Sequence, residues 1–88
     1  MTKKLASNTD LYEYLSALGN LLADRNSQQL AEAVRFAAKQ RTGLSTEFLG
    51  ESRIALRTVR DAEKGLLRPQ ERDELLSVIS QIEFVLHR

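Results

Sequence analysis

Four stretches of this chain repeat apolar residues at intervals of three and four, and only short polar breaks separate them. That spacing gathers apolar side chains on one face of an α-helix, because a helix turns once every 3.6 residues. A one-faced helix can bury its stripe only against another element, and short breaks force each helix to return antiparallel to the one before it. The expected fold is therefore all-α, a compact up-down four-helix bundle with helices at about 10–25, 27–42, 46–64 and 69–87. Residues 1–8 read as a flexible polar arm, and 9–88 as a single bundle domain.

The first stripe comprises Leu11, Tyr14, Leu15, Leu18, Leu21 and Leu22, with Asn8, Thr9 or Asp10 as candidate N-caps. Gly19 in the middle of that helix costs about 1 kcal/mol against alanine, which a close approach by a neighbouring helix would explain. The second stripe, Leu30, Ala33, Val34 and Ala37, is alanine-rich and suits close packing. Asn26 and Gln29 have the spacing of a capping box before it, and Gly43 suits a left-handed stop after it. Ser45 is the expected cap of the third helix, with Leu44 and Leu49 at the staple positions around it. Phe48, Leu49, Ser52, Ala55, Leu56, Val59 and Ala62 form its stripe, and Gly65 ends it. Pro69 and the acids Glu71, Asp73 and Glu74 suit the start of the fourth helix, where free amides and the dipole favour negative charge. Its apolar face reads Leu75, Leu76, Val78, Ile79, Ile82, Val85 and Leu86.

Composition narrows the function classes. Thirteen Lys and Arg against twelve Asp and Glu leave a charge of +1, so no bulk electrostatic drive toward nucleic acid or anionic lipid exists. The chain has no cysteine, hence no disulfide and no thiolate ligand for zinc, and a reducing, cytoplasmic setting is expected. No apolar run approaches the ~20 residues of a membrane helix, and no apolar segment follows Lys3 and Lys4 as in a signal peptide.

No catalytic constellation stands out. His87 is the single histidine and is penultimate, where a helix frays; a hydrolytic triad needs a rigidly held base. No glycine-rich phosphate loop or paired metal-ligand motif is present, so no catalytic residue, metal, cofactor or small-molecule ligand is expected. Two surfaces are candidates for function. Arg53, Arg57, Arg60 and Lys64 recur at i, i+4, i+7 and i+11, a cationic ridge with Asp61 in reach of Arg57 and Lys64. Such a ridge suits phosphates or an acidic protein. Ile54 falls roughly 140° from its helix stripe, Phe84 lies opposite Leu75 and Ile82, and Phe36 sits at a stripe edge. Grouped together, these apolar residues would mark a protein interface, most simply that of a homodimer. Tyr12 and Tyr14 read as helix-flank residues with wet hydroxyls. The expected function is a non-enzymatic protein–protein interaction module, with nucleic-acid binding through the ridge as the rival.

Gly43-Leu44-Ser45 with Glu47 and Leu49 resembles the opening of the first motif helix in phage-repressor-like helix-turn-helix proteins. Glu63-Lys64-Gly65 with Pro69 resembles the turn after their recognition helix. That family also needs a tight turn between two short helices. Residues 51–56 instead continue one apolar stripe and Gly50 comes too early, so one unbroken helix is expected.

Overall fold

The computed structural model describes residues 5–87. It contains four helices, α1 (Asn8–Asp24), α2 (Gln28–Lys39), α3 (Ser45–Ala62) and α4 (Pro69–Leu86), with one 3-10 turn at Gln40–Thr42 extending α2. Each helix packs closely on the next in the chain, which is the expected up-down bundle. The Cα radius of gyration is 11.9 Å, against about 12 Å for a compact chain of this length. α3 runs without interruption through residues 50–54, so the break of a helix-turn-helix is absent.

The core draws on all four stripes. Leu11, Leu15, Leu18 and Leu22 of α1 meet Leu30, Ala31, Val34 and Ala37 of α2, Phe48, Leu56 and Val59 of α3, and Leu75, Val78, Ile79 and Ile82 of α4. Gly19 has the expected reason: a Cβ there would lie 3.2 Å from Cγ of Arg35 and 3.8 Å from the Ala31 carbonyl, so α2 crosses where α1 is bare.

Several boundaries and exposures differ from expectation. Leu5, Ala6 and Ser7 lie against the bundle: Leu5 is half-buried, its amide donates to Gln81 Oε1 at 2.7 Å, and Ser7 caps α1 through the Asp10 amide. The rest of the expected arm, residues 1–4, lies outside the described residues. Ser45 is the first helical residue of α3 and not its cap; its hydroxyl instead accepts from Asn8 Nδ2 at 3.1 Å, tying α1 to α3. Leu44 is 70% exposed and therefore makes no staple. Asn26 takes a left-handed φ of 66°, which places it in the turn before the cap residue Ser27. Gly43 is extended at φ −91°, because the 3-10 turn closes α2, whereas Gly65 at φ 80° does supply a left-handed stop after α3. Ala62, Leu76 and Val85 were counted in core stripes and are exposed, since four helices this slim cover only part of each apolar face.

Candidate functional site

α3 and α4 run antiparallel, and their register is pinned by polar pairs across the seam. Arg57 makes an ion pair with Glu83, Arg53 Nη1 lies 3.2 Å from His87 Nε2, and Arg72 Nη1 donates to Glu63 Oε1 at 2.6 Å. The cationic ridge is therefore not a free row of charge. Arg57 and Arg53 turn toward α4, while Arg60 pairs with Asp61 at 2.9 Å. Asp61 was expected to serve Arg57 and Lys64. It meets Arg60 instead, whose guanidinium holds its carboxyl below the usual carboxylate range. A phosphate strand laid on this ridge would have to displace those partners, which lowers the net attraction available to it. His87, the C-cap of α4, lies opposite Arg53 with its ring against that guanidinium.

The same register locates the stray apolar residues. Ile54 follows Arg53 at the middle of α3, and Phe84 follows Glu83 in the last turn of α4, each turned about 100° from the seam residue before it. Ile54 is 57% exposed and Phe84 is 70% exposed. Leu76, eight residues before Phe84 on α4 and so rotated about 80° from it around the helix axis, is also exposed although its spacing puts it on the core stripe. Phe36 is exposed as well, but on α2 and outside this pair. The face around Ile54 and Phe84 carries both signs of charge, with Arg53 and Arg57 beside Glu83.

A second feature escaped the sequence reading. α1 and α4 are joined at both ends but separate between them. At one end Arg25, the C-cap of α1, holds Glu71 in a bidentate pair at 2.6 and 3.0 Å and also donates to the Leu66 carbonyl at 2.6 Å. At the other end Leu5 bonds Gln81. Between them lies a groove of about 340 Å³, with Tyr14, Ala17, Leu18 and Leu21 on the α1 side and Gln70, Glu71, Asp73 and Glu74 on the α4 side. Tyr14 is only 7% exposed, its ring packing in the core, while its hydroxyl is not buried without a partner and so meets water, as expected of a helix-flank tyrosine. Burial, with Glu74 and Glu71 nearby, pushes the phenol well above its ordinary pKa, so it stays neutral. Tyr12, by contrast, is half-buried and carries the Arg41 guanidinium 4.7 Å above its ring.

The Arg25 pair and the Arg68 amide, at 2.7 Å, together hold the Glu71 carboxyl below its ordinary range. A carboxyl held lower in the folded than in the unfolded chain adds stability above its unfolded pKa, near about 4.3, and that contribution vanishes as pH falls through the folded value. Glu71→Gln is accordingly expected to lower the melting temperature at neutral pH, with a deficit that shrinks toward about pH 3. Melts at the two pH values check this, and an unchanged deficit would assign the effect to packing instead.

Among the described residues no group of three or more potential ligands is placed to hold a metal ion, and no helix is long and apolar enough to cross a membrane. No family model, no curated protein and no solved structure matches this chain. The geometry of these two surfaces is thus what bears on function.

Proposed function

We propose that this chain is a non-enzymatic helical interaction module that pairs with a second copy of itself through the outer face of α3 and α4. The observation that carries this reading is that Ile54 on α3 and Phe84 on the adjoining α4 are both more than half exposed. Two large apolar side chains so placed gain by leaving water together, and aromatic residues are favoured at the centres of interfaces. Their surroundings favour a like partner. A two-fold axis brings the same patch onto itself, and the pairing of Arg57 with Glu83 within each chain leaves little net charge there to oppose it. A compact bundle with short connections would supply this face as a rigid platform, so little ordering entropy opposes association.

Light scattering behind a sizing column tests this. A mass of twice the 10.0 kDa chain that persists at high salt is expected, because an apolar contact is not screened. Ile54→Glu combined with Phe84→Glu is expected to return the single-chain mass with unchanged helical circular dichroism, since both positions are exposed. A wild-type chain that remains a single copy at about millimolar concentration overturns the reading.

A further inference from the structure

The seam between α1 and α2 carries a trough of about 280 Å³, with Tyr12, Ser16 and Asn20 along α1 and Arg35, Ala38 and Lys39 along α2. No carboxylate lines it. Arg35 is held in it by neutral groups. Its stem crosses α1 at Gly19, where a Cβ would lie 3.2 Å from its Cγ and 3.5 Å from its Nε, and its Nη2 donates to Asn20 Oδ1 at 3.1 Å. A glycine in mid-helix is costly, and here its bare face is what lets an arginine lie flat. Neither Gly19 nor Asn20 neutralises the guanidinium. Arg25, Arg57, Arg60 and Arg72 each meet a carboxylate, whereas Arg35, Lys39 and Arg41 make no ion pair among the described residues. Glu13 and Asp24 on α1 and Glu32 on α2 pair with none of them. Arg41 rests 4.7 Å over the Tyr12 ring and adds a further cation beside the trough. Lys39 suits the C-terminal dipole of α2, but Arg35 lies a turn earlier, beyond the reach of that effect.

We infer that this trough binds the phosphate group of a phosphomonoester. Near neutral pH such a group carries about 1.5 to 2 negative charges and three strong acceptor oxygens. Arg35 and Lys39 supply the matching positive charge, and the free N–H groups of Arg35, the Lys39 ammonium and the Ser16 hydroxyl supply donors. The guanidinium is already oriented by Asn20 and Gly19, so less side-chain freedom is lost when the anion arrives. A carboxylate brings a single charge and leaves part of this donor set unused, and a cation is repelled by it. The volume lies just below the usual range for ligand pockets, so it holds a phosphate and the few atoms that carry it but not a whole nucleotide. The trough is built by α1 and α2, so it is open whether or not the chain pairs through Ile54 and Phe84.

Amide NMR titration of the whole chain tests the inference, with inorganic phosphate, a blocked Gly-phosphoserine-Gly peptide and the same peptide unphosphorylated, all at one ionic strength. Shifts are expected to cluster at Ser16, Asn20, Arg35 and Lys39 with both phosphates and to be absent with the serine peptide. The cations are exposed, so a dissociation constant of about 1 mM is expected. Arg35→Gln is expected to weaken binding about fivefold, and Arg35→Gln with Lys39→Gln to abolish it. Lys64→Gln removes an exposed charge outside the trough and is expected to leave binding unchanged. A phosphopeptide that binds more tightly than inorganic phosphate places the group on a protein partner, and the reverse order places it on a small ester; either order supports the site. Shifts spread evenly over the surface, equal weakening by Lys64→Gln, or indifference to Arg35→Gln would overturn it.

Discussion

Val59→Asp leaves the chain without a cooperative melting transition. Val59 is completely buried on α3, within the cluster that also holds Phe48, Leu56 and Leu75. An aspartate there loses the valine's burial, worth about 1.5–3 kcal/mol, and places a carboxylate where no cation can follow it. Either the charge is carried into the core or the side chain is protonated at several kcal/mol of cost. A chain of this length holds only about 4–13 kcal/mol in total, so the sum removes most or all of it. Thr58 is the internal comparison. It is the adjacent residue, exposed, and Thr58→Asp should stay within about 0.5 kcal/mol of the parent. Circular dichroism melts of the two variants check the pair. A native melting temperature for Val59→Asp would mean that the buried face of α3 has been misassigned.

That contrast between neighbours was legible from the residues alone, because helical periodicity is local. Leu15 and Leu18, or Leu56 and Val59, declare their common face within one turn whatever the rest of the chain does. The polar contacts were not legible in the same way. Arg25 and Glu71 are 46 residues apart and meet only because α1 ends where α4 begins, a register that depends on how the whole bundle closes. The pairing of Arg57 with Glu83 rests likewise on α3/α4 register, which is why four cations read as one ridge in sequence and are divided among partners in space. Tyr14 illustrates the same limit. Its place on the first stripe was clear, but the separation of α1 from α4 beside it follows from helix-to-helix geometry that no local pattern encodes. Ile54 and Phe84 were found because exposure off a stripe is again a local signal. Leu76 was missed because it lies near the edge of a stripe, where the side covered by α3 decides.

The connection from α3 to α4 gives the second large effect, and its sign depends on an asymmetry in burial. The Glu63 side chain is 5% exposed and that of its partner Arg72 is 43% exposed. Glu63 Oε1 accepts from Arg72 at 2.6 Å, and Oε2 accepts from the buried amide of Leu67 at 3.2 Å. Arg72→Met therefore strands a buried carboxylate with one amide for company. A fully buried pair broken this way costs roughly 3–5 kcal/mol, but here the arginine is partly in water and its attraction is screened, so about 2 kcal/mol is expected. For a domain of this size that lowers the melting temperature by about 8–16 °C. Glu63→Gln should cost less, about 1 kcal/mol, because the amide oxygen still accepts from Leu67 and the freed arginine simply hydrates. The combination of Glu63→Gln with Arg72→Met should then be more stable than Arg72→Met alone, since it removes the stranded charge. Thermal melts of the three variants form a double-mutant cycle that reads the coupling directly. Equal losses from the two single variants would mean that the burial difference has no energetic weight. A combined variant no better than Arg72→Met would show that the arginine holds the connection by packing, and not by offsetting the carboxylate.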